Sequence, residues 1–156
     1  PKTKKTSEFA NTLHSMYLEL PKPLRFNETN FIDSLNDPKT ILTTLRLNGE
    51  NGDIVGFAKG GPLENYILRT EINDENFGKK NTVFLEPIVL KMGYWGLGSG
   101  HELRQSFLMQ SHTMNFNFLT SFAFRDVIEK RTQSMEKAKF VFKFDPERWD
   151  YYRIEL

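Results

Sequence analysis

Cysteine is absent from this chain of 156 residues, which removes disulfides, thiolate catalysis and cysteine-ligated metals together. Histidine is scarce: His14, His101 and His112 are the three present, and none stands at a metal-ligand spacing such as H-x-x-x-H. No apolar run approaches the roughly eighteen residues of a membrane span, and no signal-peptide core is visible. Neither sign of charge is in excess, with 21 Lys and Arg against 20 Asp and Glu. A dedicated nucleic-acid binder usually concentrates basic excess on one face, so that class is argued against. The expectation is a soluble, cytoplasmic protein with no metal, no membrane and no nucleic acid among its partners. The length suits one domain that buries roughly 70% of its unfolded surface.

What is abundant is phenylalanine, fourteen in all. Most of these alternate with polar residues at period two, which is the pattern of a strand-borne core rather than of stacking platforms for bases. Along the chain, Pro1–Thr6 reads as a basic, flexible end, with a single domain from Ser7 to Leu156. Phe9, Leu13, Met16, Tyr17 and Leu20 recur at helical spacing after the N-cap candidate Ser7, until Pro21 and Pro23. Asn27 is a cap candidate for a short helix carrying Phe31 and Leu35. Thr40–Leu47 and Ile54–Lys59, joined by the turn cluster Asn48–Asp53, read as a hairpin closed by Gly60-Gly61-Pro62. Asn81–Leu90 is an apolar strand in which Pro87 marks a bulge or break. Helix Ser99–Thr113 should bury Leu103, Phe107, Leu108 and Met114. Strand Asn117–Phe124, helix Asp126–Met135 and strands Lys139–Phe144 and Asp150–Leu156 complete a mixed α/β domain with helices packed on a central sheet.

Between the apolar strand and the third helix lie Gly93, Gly96, Gly98 and Gly100, four glycines within eight residues. Glycine contributes nothing to a core and costs conformational entropy, so its use here points to a sharp turn that exposes backbone N–H groups. A strand-to-helix turn of this kind offers unpaired N–H groups and the positive end of a helix dipole to a pyrophosphate. The alternative is a tight connection that holds nothing.

The strand Val83–Leu90, the turn Tyr94-Trp95-Gly96-Leu97-Gly98-Ser99-Gly100 and the helix opening His101-Glu102-Leu103 together resemble the acetyl-CoA signature of the GNAT superfamily of N-acetyltransferases. Ile54-Val55-Gly56-Phe57-Ala58 is similar to that family's third strand, and Phe118–Phe124 to its fifth. The first strand has no counterpart ahead of Ser7, so the chain is expected either to be cut from a longer one or to dispense with that strand. The resemblance implies a mostly antiparallel twisted sheet with helices on both faces, splayed at the strand before the glycine turn. It implies acetyl-CoA as co-substrate and no metal. Backbone groups of Ile88, Val89 and Leu90 would pair with the pantetheine arm, and an N–H near Leu90 would polarise the thioester carbonyl. The N–H groups of Gly96, Leu97, Gly98, Ser99, Gly100 and His101 would hold the pyrophosphate, with Arg125 meeting the cofactor from past the fifth strand. Two departures stand out. Trp95 occupies the place of the family's Arg or Gln, and Asp126–Met135 lacks the tyrosine that protonates the leaving thiolate. Ser134, Tyr151 or Tyr152 would have to replace it.

Glu86 is the acidic residue of an otherwise apolar strand. A carboxylate there could accept the proton of an incoming ammonium, directly or through water; the other reading is a charge at the strand's mouth or one paired with a lysine or arginine. Alternation puts it with Ile88 and Leu90. Arg104 and Lys91 read as solvated surface charges, and His14 and His112 as ordinary helix positions. The expected function is transfer of acetyl from acetyl-CoA to a primary amine by direct attack in a ternary complex. Its rivals are a non-catalytic CoA-binding or regulatory module and a purely structural domain. The acceptor, a small-molecule or peptide amine, would lie against Leu20–Asp37 and Pro62–Lys80. A homodimer, or a place in a longer chain, is left open.

Overall fold

The computed structural model of the chain describes residues 7–20, 22, 25, 28–66, 74–94, 98–124, 138–143 and 149–156. The Pro1–Thr6 end, the Asp126–Met135 helix and Trp95, Gly96, Leu97, Arg125 and Ser134 lie outside them. Helices α1 (Ser7–Tyr17) and α2 (Phe31–Ser34) precede strands β1 (Ile41–Arg46) and β2 (Ile54–Pro62). Then come β3 (Thr82–Leu85), β4 (Val89–Leu90), α3 (Ser99–Thr113), β5 (Phe118–Phe124), β6 (Ala138–Lys143) and β7 (Trp149–Glu155).

The sheet runs β1-β2-β3-β5-β7-β6, with β4 paired to β2 off this path. Every described pairing is antiparallel except β3 with β5. A parallel pair needs a crossover, and α3 supplies it. The expected hairpin forms, but β2 continues through Gly60-Gly61 to Pro62 instead of ending before them. A Cβ on Gly60 would collide with the Phe84 carbonyl and lie 2.6 Å from Phe107 Cζ. The glycine there admits β3 and α3 to close range; it does not terminate the hairpin.

Two cores sit on opposite faces. Ala58, Val83, Leu85, Leu119 and Ile154 pack with Leu103 and Phe107 of α3. Phe57, Ile54 and Val89 pack with Phe9, Leu13, Met16 and Tyr17 of α1 and with Phe31 of α2. Adjacent residues Phe57 and Ala58 thus point to different layers, as the pleat requires. The helix stripe of α3 differs from the expected one: Leu103, Arg104, Phe107 and Ser111 are buried, while Met114 caps the helix end and is 43% exposed. α1 stops at Tyr17, ahead of the prolines.

The segment 74–80 is tied to β7 and to the turn Leu63–Asn65. Buried Asp74 accepts from Arg153 Nη2 of β7 at 2.8 Å, and Glu64 Oε2 accepts from the Gly78 N–H at 2.8 Å. Among the described residues, no helix is long and apolar enough to cross a membrane.

Gly60→Ala should lower stability by about 1–3 kcal/mol, the usual cost of overpacking a filled site. The measurement is the denaturant midpoint; an unchanged midpoint would mean that β3 is free to move away from β2.

Candidate functional site

The single apolar strand expected over Asn81–Leu90 is two short strands joined by a bulge. Gly60 faces Leu85 while Phe57 faces Val89, so three residue steps on β2 are matched by four on the other side. The extra residue reverses the alternation. Glu86 turns toward the α1/α2 face, where it meets Lys59 and Tyr66. Ile88 and Leu90 pack against the α3 face. Glu86 therefore does not share a face with Ile88 and Leu90, because alternation holds only within an unbulged ladder.

The same bulge opens the sheet. β5 pairs with β3 from Thr82–Phe118 to Leu85–Ser121 and goes no further; β4 pairs with β2 alone among the described strands. Ser121 Oγ donates to the Leu85 carbonyl at 2.9 Å at the point of divergence. Beyond it, β5 stays with β7 to Phe124, so β4 and β5 part like a V. The Lys91 N–H donates to the Val55 carbonyl at 2.8 Å. Antiparallel alternation then makes Phe57–Val89 the next hydrogen-bonded pair. Val89 therefore directs its backbone groups to β2, and Leu90, its neighbour in β4, directs its own to the other side of the strand. Of the three residues expected to meet a pantetheine arm, Val89 is the one whose backbone is turned to β2.

The glycine turn leads directly into α3. Gly98 is the N-cap residue, with φ of 81°, a left-handed conformation that glycine adopts without strain. Having no side chain, it leaves the helix end uncapped, and the first helical bond runs from the Glu102 N–H to the Gly98 carbonyl at 3.1 Å. The N–H groups of Ser99, Gly100 and His101 precede that bond, as at any helix start. Gly100 is helical, and a Cβ on it would meet nothing within 4 Å; backbone angles do not demand glycine there. The His101 side chain is exposed, as is Lys91. Arg104 is buried, contrary to its reading as a solvated charge. His14 stacks on Phe31, and His112 is exposed.

On the other face lies a buried polar cluster. Lys59 Nζ donates to Glu86 Oε2 at 2.6 Å, and the Tyr66 hydroxyl donates to the same oxygen at 2.8 Å. Lys59 is 1% exposed, Glu86 2% and Tyr66 6%. Lys59 Nζ also lies 4.8 Å from the centre of the Phe31 ring, a cation–π contact in a desolvated setting. Glu86 Oε1 has no hydrogen-bond partner among the described residues. Burial, then the nearby Glu86 charge and the hydrogen bond to it, hold the Tyr66 phenol well above its ordinary value of 10.0. Glu86 is thus paired with a lysine, one of the two readings open to it, while keeping one oxygen unengaged.

Tyr66 also lines a cavity of about 260 Å³, together with Asn30, Asp33, Ser34, Asp37 and Asn65. Its walls come from 30–40 and 61–66, which overlap the segments Leu20–Asp37 and Pro62–Lys80 and extend past both, to Thr40 and Gly61. Lys59, Tyr66 and this cavity have no place among the expected site residues. A signal for Lys59 existed: it is the lone charge in the apolar run Ile54–Gly60, as Glu86 is in its own strand. Two opposite charges in adjacent buried strands are a pair in waiting. Tyr66 gives no such sign, since a tyrosine beside a turn has many uses. Tyr151 and Tyr152 lie on β7, and their side chains are outside the described residues, as is the Arg125 position.

No protein-family model and no curated protein matches the chain. Solved structures do. A GNAT-family acetyltransferase from Staphylococcus aureus Mu50 is 15% identical, with a TM-score of 0.61 over 97% of this chain and 95% of its own. A ribosomal-protein-alanine N-acetyltransferase from Brucella melitensis is also 15% identical, at 0.61 over 97% and 96%. An aminoglycoside 6'-N-acetyltransferase complexed with coenzyme A is 11% identical, at 0.64 over 97% and 92%. The chain has the GNAT fold, an open, mostly antiparallel sheet with helices on both faces.

Two outcomes follow for the buried cluster. Lys59→Met alone should cost about 3–5 kcal/mol by stranding the Glu86 charge, and adding Glu86→Leu should recover much of that; chemical denaturation reads both. The sign for Tyr66 is that of an acid whose folded form keeps its proton. Above pH 10 the unfolded phenol ionises first, so its contribution is whole below that pH and is lost as pH rises. Tyr66→Phe should flatten the alkaline fall of the melting temperature, and an equal fall in both proteins would overturn this assignment.

Proposed function

We propose that this chain is an acyl-CoA-dependent N-acyltransferase that moves acetyl from acetyl-CoA to a primary amine. The observation that carries the reading is the V between β4 and β5 on a GNAT fold, with the uncapped N-terminus of α3 following it directly. Each part has a physical use. By the sequence resemblance, the segment Ile88–Leu90 at the edge of the V would lie along an amide-bearing pantetheine arm. The N–H groups at Gly98, Ser99, Gly100 and His101, with the helix dipole behind them, suit a pyrophosphate and need no metal. Gly96, Leu97 and Arg125 belong to the same proposal on the strength of the sequence resemblance.

The acceptor is assigned to the α1/α2 side. A cavity with Asp33 and Asp37 in its wall attracts a protonated amine, and Glu86, with one oxygen unengaged, is the group assigned to take the amine's proton. The amine then attacks the thioester carbonyl in a ternary complex, where an N–H near Leu90 would favour the developing oxyanion.

The test has two arms. Acetyl-CoA at a hundredfold above its dissociation constant should stabilise the fold by about 2.7 kcal/mol. Gly98→Val should abolish that shift, since valine resists a φ of 81°. Gly100→Ala should raise the ligand-free stability by about 0.5 kcal/mol, as Gly-to-Ala in a helix does, and yet shrink the response to acetyl-CoA. In the second arm, release of CoA thiol is followed with alkyl polyamines, amino sugars and peptides bearing a free α-amine. Glu86→Gln should keep acetyl-CoA stabilisation while lowering turnover by about two to four orders of magnitude. Stabilisation without thiol release from any amine would leave a CoA-binding module. No stabilisation at all would remove the reading.

A further inference from the structure

The turn between β1 and β2 holds two Asn-Gly pairs, Asn48-Gly49 and Asn51-Gly52. Both asparagines are exposed, and the acyltransferase reading uses neither. Such a pair has a chemistry of its own. The glycine backbone nitrogen attacks the asparagine side-chain carbonyl, and glycine has no Cβ to crowd the five-membered ring that forms. As sequence, the two pairs are equivalent. The fold makes them unequal.

Gly52 is held on three sides. Its N–H donates to the Gly49 carbonyl at 3.0 Å, and its carbonyl accepts from Arg46 Nη1 at 2.9 Å. A Cβ on it would collide with the Leu47 carbonyl, so the backbone there has no room to turn. Before attacking Asn51, its nitrogen would have to break a hydrogen bond and swing past Leu47. Gly49 is the opposite case. Its N–H has no hydrogen-bond partner among the described residues, and a Cβ on it would meet nothing within 4 Å. Asn48 has φ of 57° and Gly49 of 93°. The left-handed region costs an L-residue roughly 1–2 kcal/mol, with asparagine among its more frequent occupants. Asn48 therefore gives up little when it leaves that conformation to cyclise, and a loop tip leaves it space to do so.

We infer that Asn48 is a site of spontaneous modification, passing through a cyclic imide with Gly49 to aspartate and isoaspartate, and that the fold protects Asn51. This goes beyond the acyltransferase reading and does not depend on it. Hydroxide takes the Gly49 N–H proton, and the nitrogen forms a bond to Asn48 Cγ. The Cγ–Nδ2 bond breaks, and the nitrogen leaves with a proton from water as ammonia. Water then opens the ring. Addition at Cγ restores the ordinary main chain with an aspartate; addition at the Asn48 backbone carbonyl routes the main chain through Cγ as isoaspartate. One water is consumed, one ammonia is released, and nothing is oxidised or reduced. The product carries a new carboxylate in a turn that already holds Glu50 and Asp53, and the isoaspartate form lengthens the main chain of the hairpin by one methylene.

The experiment keeps the native protein at mildly alkaline pH and follows both pairs over days by peptide mapping, with fragmentation that separates aspartate from isoaspartate. The same chain in guanidinium chloride is the reference, and there the two sites should react at rates within twofold of each other. In the native protein Asn48 should convert at least tenfold faster than Asn51, at a rate that rises with pH because the attacking nitrogen must lose its proton. Asn48→Gln should remove the fast conversion, and Asn51→Gln should leave it in place. Native rates within twofold of each other, or faster conversion at Asn51, overturn the inference. So does a fast conversion that survives Asn48→Gln.

Discussion

Between Phe57 and Gly60, β2 advances three residues; the segment opposite, from Val89 back to Leu85, spans four. That single surplus residue decides three things at once. It turns Ile88 and Leu90 to the α3 layer, ends the β3–β5 ladder at Leu85 and frees β4 to diverge from β5. Pro87 lies inside the bulge, and it lacks the N–H that a regular ladder would need. Glu86 still keeps the β3 register, its N–H donating to the Lys59 carbonyl at 2.9 Å, so it faces away from Leu85 by ordinary alternation; an unbulged continuation would have put Ile88 and Leu90 on the α1/α2 face beside it. The bulge is therefore the constraint from which the opening descends, and it sets the polar cluster and the aliphatic residues that follow on opposite faces.

The polar cluster is a poor source of stability. Moving two charges out of water costs several kcal/mol per ion, and their mutual attraction seldom does more than offset it. A leucine and a methionine of similar volume would serve the α1/α2 core at least as well. The chain instead keeps Lys59 and Glu86 buried between Phe31 and Tyr66, with one carboxylate oxygen unengaged. Expensive arrangements of this type occur where chemistry needs a charge held in a fixed place. The physical cost thus favours a functional origin for the pair independently of the fold comparisons.

Legibility in the sequence follows a clear line. Features written in period-two or period-3.6 patterns were readable: the pairing of Thr40–Leu47 with Ile54–Lys59, α1 from Phe9, Leu13, Met16 and Tyr17, α3 and β5. A bulge at Pro87 was readable as well, because proline in an apolar strand has few other meanings. Its consequence for the facing of Ile88 and Leu90 relative to Glu86 was not, since the flip depends on where the partner strand re-enters register, and that is a property of two segments. The same holds for Lys59 with Glu86 and for Arg153 with Asp74, partners separated by 27 and 79 residues. Gly60 misleads for a related reason. A Gly-Gly-Pro run is ordinarily a turn signal, but here the glycine yields to Phe84 and Phe107, which no local pattern announces.

A fold shared at 11–15% identity needs explaining, and the geometry supplies a reason. Everything on the proposed cofactor side is carried by backbone: the N–H and C=O groups along Ile88–Leu90, the left-handed Gly98, and the first amides of α3. Backbone groups are the same in every residue type, so such a site asks of the sequence only a bulge, a V and a few small residues. The α1/α2 side is the reverse, built from named side chains whose charges must match one another. Selection on the first side leaves little trace in identity, and selection on the second differs with each acceptor. A backbone-borne cofactor site joined to a side-chain-borne acceptor site, as proposed for this chain, would leave identity low. The residues that distinguish this chain are to be sought around Glu86 and Tyr66, and the glycine turn will reveal little of them.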